Sequence, residues 1–338
     1  MHCASVLGAA VFAAAQATAQ LDVQMSQYMF NGMVLSPAHA GQHEAINIQV
    51  LYRQQWVGVP GAPNTQIIAV DGASKNGITG LGAIVMRDNI GSLNNLGAYA
   101  NYAFRLRLNN LNDRLCFGLA AGIVQNSFAR YEQGALGGFG QNLYDHQLDD
   151  ILNNEKPVYM PDFKVGILYE MQDIFYLGLT ANNLGSFLSK KEDSTLVVQA
   201  PIASINGGGN IQLNNNWALR PAFLYSQPIS RMLPGAASGQ SSSLQVFPPM
   251  GTLDISLAAV LKERFWLGAT YRMGIGNGNA YKNAIIAMAE IWITSSIRLG
   301  YAYDFSLKFV GMQQGTHEIS LGFTPFKKVV RYRSAKDF

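Results

Sequence analysis

"TLDISLAAVLKERFWLGATYRM", Thr252 to Met273, decides how the rest of the chain is read. Leu253, Ile255, Leu257, Ala259 and Leu261 share one parity, and Asp254, Ser256 and Ala258 the other. After Lys262-Glu263-Arg264 the alternation resumes, with Phe265, Leu267, Ala269, Tyr271 and Met273 set against Trp266, Gly268, Thr270 and Arg272. A period of two marks a strand with two unlike faces. Two such runs joined by a short polar stretch mark an antiparallel hairpin. One face is aliphatic and aromatic; the other is small or charged.

The same alternation recurs along the chain. In "SIRLGYAYDFS" (296–306), Ile297, Leu299, Tyr301, Tyr303 and Phe305 alternate with Arg298, Gly300, Ala302 and Asp304; in "EISLGFTPF" (318–326), Ile319, Leu321 and Phe323 alternate with Glu318, Ser320 and Gly322. Strands are predicted over 44–56, 64–75, 78–89, 93–108, 113–129, 160–171, 174–185, 198–213, 216–228, 249–261, 264–275, 281–290, 293–306 and 315–326. The segment 281–290 also suits a helix. Taken in order, the connections alternate between long and short, with the pair near 90–92 and 109–113 as the exception. An antiparallel meander with short turns at one end and long loops at the other is the pattern of an outer-membrane barrel. Backbone groups in lipid must all be paired, so such a sheet closes on itself. The predicted fold is therefore all-β: a transmembrane, antiparallel, up-and-down barrel of about 14 strands with an N-terminal periplasmic segment. Both termini then fall at the short-turn end, which is periplasmic. A soluble β-sandwich also alternates, but it needs no regular loop asymmetry.

Composition agrees. Charged residues are 13% of the 338, about half the share in soluble domains, and the 34 glycines do not suit a soluble α/β enzyme. A net charge of +3 gives no reason to expect a nucleic-acid partner. Val6 to Ala15 followed by Ala17-Thr18-Ala19 looks like an export signal with an A-x-A cleavage site, although no Lys or Arg precedes the apolar run. The predicted organisation is a signal peptide over 1–19, an N-terminal periplasmic or plug segment over 20–43, the barrel over 44–326 and a basic tail over 327–338. Past the signal only Cys116 remains, so no internal disulfide is expected. No mature run is long and apolar enough to form a transmembrane helix.

Charge on a lipid face is costly, so Asp254, Arg272, Arg298, Asp304 and Glu318 are expected to face the lumen, as an internal salt-bridge network or as the lining of a selective pore. The apolar stretch "QMSQYMFNGMVLSPAHAG" (24–41) needs cover from water. Lying before the first strand, at the short-turn end, it either plugs the periplasmic mouth or presents a docking surface; Tyr28 and Phe30 are its anchors in both cases. Gln54, Trp56, Gly58, Gly61, Ala62 and Pro63 surround the first outward turn, as a substrate contact or as a structural rim with Trp56 in the aromatic belt. No metal-ligand spacing, phosphate loop or catalytic set stands out, and no cofactor is expected. "YDHQLDD" (144–150) is a solvated acidic loop or a surface cation site. Lys327, Lys328, Arg331, Arg333 and Lys336 are either a docking tail or a solvated end.

Three segments together resemble the PorP/SprF family of outer-membrane proteins of the bacterial type IX secretion and gliding machinery. They are "QMSQYMFNGMVLSPAHAG", "YRQQWVGVPGAPNTQ" (52–66) and "GTHEISLGF" (315–323). Ser36 and His39 stand where the family more often shows Asn and Tyr. The resemblance implies a non-enzymatic barrel that works with other type IX secretion components, periplasmic and outer-membrane. It further implies support for secretion or surface attachment of adhesin-like substrate proteins. A diffusion porin or hydrophobic-compound transporter is the alternative, and a barrel enzyme a more distant one. Outer-membrane lipid is the remaining expected partner.

Overall fold

The computed structural model describes residues 24–43, 45–91, 93–108, 113–128, 157–171, 174–188, 200–229, 251–275, 283–307 and 315–325. The strands are β1 (Asn47–Gln54), β2 (Asn64–Ala73), β3 (Thr79–Ile90), β4 (Leu93–Arg107), β5 (Arg114–Phe128), β6 (Val158–Met171), β7 (Phe175–Asn182), β8 (Ile202–Gly209), β9 (Ile211–Gln212), β10 (Trp217–Pro228), β11 (Gly251–Leu261), β12 (Phe265–Ile275), β13 (Ala284–Trp292), β14 (Ile297–Ser306) and β15 (Thr316–Phe323). Apart from β8 and β9, each pairs antiparallel with its neighbours in sequence, and β15 pairs back onto β1 from Ile48↔Phe323 to Gln54↔His317. Strands β8 and β9 both pair with β10 and are two pieces of one stave. They part at Asn210, whose N–H donates to the Ile174 carbonyl (2.7 Å) and whose Oδ1 accepts from Arg220 Nε (3.1 Å). The result is a closed 14-stranded antiparallel barrel. The segment 281–290, where a helix was also open, is strand β13 between β12 and β14.

Lipid exposure is what makes these residues strands of one closed sheet. Along β4 the residues alternate strictly, with Leu96, Ala98, Ala100, Tyr102, Phe104 and Leu106 outward and Asn95, Gly97, Tyr99, Asn101, Ala103 and Arg105 inward. The hairpin that opened the sequence reading behaves the same way: Ile255, Leu257 and Leu267 are exposed, while Asp254, Ser256, Thr270 and Arg272 are buried. A soluble protein hides such aliphatic rows; a membrane barrel turns them to hydrocarbon. Among the described residues no helix is long and apolar enough to cross a membrane, which says nothing against crossing by strands.

One expectation needs correction. The segment before β1 does not stay at the short-turn end. Residues 24–41 run inside the barrel, starting beside residues close to the long-loop ends of their strands (Arg53, Asp304, Glu318) and finishing beside Asp71, Gly80 and Arg105 near the short-turn end. Two features make this possible. A four-residue helix, α1 (Gly32–Leu35), and a 3-10 turn over Pro37–His39 compact the strap. The wall beneath it is glycine at the points of closest approach: a Cβ on Gly118 would overlap the Ala38 backbone, and one on Gly80 the Ala40 carbonyl. Residues 1–19, expected to be a signal peptide, the 144–150 stretch and the basic tail lie outside the described residues.

Leu257 is half exposed in mid-strand on the outer face. Leu257→Lys is expected to lower barrel stability by about 2–4 kcal/mol in lipid vesicles, read from denaturant unfolding.

Candidate functional site

The site is the junction between the strap and the wall at the long-loop half of the lumen. Period-two patterning aims Arg53 of β1, Asp304 of β14 and Glu318 of β15 inward, and the register sets Arg53 directly opposite Glu318. Arg53 donates through Nη2 to Asp304 Oδ2 (2.8 Å) and through Nη1 to Glu318 Oε2 (2.9 Å). The strap completes the shell. The backbone N–H groups of Ser26 and Gln27 donate to the two oxygens of Glu318 (2.9 and 2.8 Å). Ser26 Oγ donates to Asp304 Oδ1 (2.6 Å) and accepts from Arg53 Nη1 (2.5 Å). Ser320 Oγ donates to Gln27 Oε1 (2.7 Å), and Gln27 Nε2 to the Glu318 carbonyl (3.2 Å). Next to this set, Arg272 clasps Asp254 (Nη2 to Oδ2, 2.7 Å; Nε to Oδ1, 2.9 Å), stands 3.6 Å from Asp304, and donates to the Met25 carbonyl (2.9 Å). Charge-assisted bonds of this kind are the strong ones, and in a dry interior each missing partner costs dearly.

The expected lumen charges are thus all buried, and four belong to this network. Arg298 stands lower, 3.9 Å from Glu290, and donates to the Phe30 carbonyl (3.4 Å). Tyr28 is buried with its hydroxyl 3.0 Å from Ser256 Oγ. Phe30 packs on Ile286, Met288 and Ala302, edge-on to Trp266 at 5.2 Å between ring centres. Both rings point into the barrel, so neither presents a surface in this state. Further along, the Leu35 carbonyl accepts from Asn182 (3.2 Å), Gly41 N–H donates to Asp71 (2.9 Å), and the Gly41 carbonyl accepts from Arg105 (2.6 Å). Beside the strap a small pocket is lined in part by Met25, Tyr28, Leu35, Lys164, Asn182 and Arg272.

The rim turn after β1 is a separate feature. Gln55 N–H closes onto the Pro63 carbonyl (2.9 Å), Val57 N–H reaches Gly315 (2.9 Å), and Gly91 N–H reaches the Gly61 carbonyl (2.9 Å). The turn is bolted to the loops on both sides. Trp56 takes φ of 43°, an uncommon conformation for a bulky residue, held by its N–H on Thr316 Oγ1 (3.3 Å). Gln54 accepts from Asn64 (2.7 Å); Gly58 and Gly61 are exposed, Trp56 and Ala62 half-buried, and Pro63 buried.

Arg53, Ser26 and Gln27 are the functional residues that sequence reasoning missed. Arg53 shares the inward parity of Gln49 and Leu51 within "YRQQW", so alternation along β1 was a sufficient signal for it. Nothing local marks Ser26 or Gln27.

The family model for the type IX secretion system membrane protein PorP/SprF matches residues 17–323. The chain belongs to the PorP/SprF family. It is accordingly an outer-membrane β-barrel associated with type IX secretion and its other components. No curated protein matches it in sequence. A solved structure shares the fold at low identity, the CymD monoaromatic hydrocarbon channel (12% identity, TM-score 0.52, covering 87% of this chain and 92% of that one), and the Pseudomonas putida toluene transporter TodX is a more remote likeness (11%, 0.48, 89% and 93%). The Acinetobacter baumannii outer membrane protein Omp33 is a further one (9%, 0.44, 83% and 98%).

Removing one partner of a buried pair strands the other. Glu318→Ala is expected to cost about 3–5 kcal/mol in denaturant unfolding, and pairing it with Arg53→Ala to cost clearly less than the two single losses combined. Gly118→Val, which drives a side chain into the Ala38 backbone, is expected to expose the strap to limited proteolysis while the far-ultraviolet β-signal persists.

Proposed function

We propose that this chain is a plugged, non-enzymatic barrel that serves type IX secretion as an accessory, supporting secretion or surface attachment of specific adhesin-like proteins. The observation that carries it is the strap. A diffusion channel needs a clear lumen, and here residues 24–41 occupy it and are tied to the wall by charge-assisted bonds. Family membership supplies the secretion context.

The short-turn end is assigned to the periplasm and the long-loop end to the exterior, by the usual asymmetry of such barrels. Strand β15 ends at the short-turn end, which this assignment makes periplasmic. The N-terminal side differs: its first described residue, Gln24, stands in the outward half of the lumen. The bolted rim turn, with Gln54, Trp56, Gly58, Gly61, Ala62 and Pro63, faces outward as the surface a secreted protein meets; Tyr28 and Phe30 hold the strap rather than the substrate. The outer face of Leu, Ile and Tyr residues meets outer-membrane lipid.

The second reading is a porin or hydrophobic-compound transporter, favoured by the fold shared with the CymD channel. In planar bilayers the intact protein is expected to show no large stable pore, whereas a variant lacking residues 24–41 conducts. A large, stable conductance from the intact chain would overturn the accessory reading. In cells, deleting the gene is expected to remove one specific surface protein from the secreted set; loss of solute uptake alone would favour the transporter.

A further inference from the structure

A second polar cluster continues round the wall from the strap's anchor, where Arg53 of β1 stands opposite Thr65 of β2, and Thr65 opposite Asp88 of β3. The register places Asp88 of β3 directly opposite Asn95 of β4, and Asn95 directly opposite Asn126 of β5. All three share the inward parity, and all are at least nine-tenths buried, at 4%, 5% and 2% exposure. The Asp88 carboxylate accepts one hydrogen bond among the described residues, from Thr65 Oγ1 (2.5 Å). The side-chain oxygens of Asn95 and Asn126, and the amide nitrogen of Asn126, are buried with no hydrogen-bond partner among the described residues. Buried amide oxygens without donors are uncommon and require an explanation.

Charge supplies one. In the long-loop half of the lumen, Asp88, Asp254, Asp304 and Glu318 are buried beside the cations Arg53 and Arg272. Among the described residues there, four carboxylates stand against two guanidinium groups, an excess of two negative charges, and Asp88 is the carboxylate with no ion-pair partner among those six groups. Lys164 and Asp162, farther along the wall on β6, balance each other in sign. A carboxylate followed by amide oxygens on the next two strands is a hard-oxygen donor set, which suits calcium better than a transition metal. Among the described residues no three His, Cys, Asp or Glu side chains are arranged to hold a metal ion, so the site is of the weak, carbonyl-rich kind.

We propose that Asp88, Asn95 and Asn126 hold a calcium ion in the lumen wall, with Thr65 orienting the carboxylate. The ion joins three neighbouring strands and neutralises the excess charge beside the strap's anchor.

The test uses the intact protein in detergent free of lipopolysaccharide, which would itself bind calcium. Calcium chloride is expected to raise the unfolding midpoint in a saturable way, with half-effect between about 0.1 and 1 mM; sodium chloride at matched ionic strength is not. Asp88→Asn keeps the shape and removes the charge. It is expected to be more stable than wild type in chelator and less stable in calcium, a crossing that a merely structural aspartate would not give. Glu263→Gln, at an exposed short turn, keeps the full calcium response. Equilibrium dialysis with radioactive calcium is expected to give one ion per chain in the wild type, which keeps the proposal testable should Asp88→Asn fail to fold. An equal response to sodium, an unchanged response in Asp88→Asn, or no bound calcium would overturn it and leave the three residues solvated by buried water alone.

Discussion

Glu318 is completely buried, and that single fact constrains the rest of the molecule. A carboxylate in a dry interior has to be matched by charge and by donors on every lone pair. Arg53 supplies the charge from the neighbouring strand. Two consecutive backbone N–H groups of the strap supply the donors. The partners belong to β15, β1 and the segment before β1, so the network spans the seam at which the barrel closes. The wall and the strap are each incomplete without the other.

The same dependence explains the glycines. A lumen of this size has room for an irregular chain only where the wall is thin. Gly80 and Gly118 sit at the points where the strap backbone meets the sheet. In β8, Gly207 and Gly208 leave space for the rings of Phe223 and Tyr176. The high glycine content that argued against a soluble enzyme is therefore spent partly on clearance inside the barrel.

Much of the barrel was legible because lipid enforces a sharper rule than water does. Every residue of a spanning strand must take one of two environments, so Leu253, Ile255 and Leu257 declare their face without any help from structure. The same rule placed Asp254, Arg272, Asp304 and Glu318. It applied equally to Arg53, which went unremarked only because the surrounding motif drew attention to the turn beyond it. The strap could not be placed in this way. It has no period, and its partners lie up to 293 residues away in sequence. Its apolar side chains announce a need for cover and nothing about where the cover lies. The broken stave at Asn210 was hidden for a different reason: a strand that stops for one residue keeps its alternation on both sides.

The strap also couples two events of assembly. Glu318 of β15 takes its charge partner from β1 across the closing seam and its two backbone donors from Ser26 and Gln27 inside the ring. Sheet closure and seating of the strap therefore share one carboxylate. A ring closed over a misplaced strap keeps a buried carboxylate short of donors, so closure doubles as a check that the segment is correctly laid.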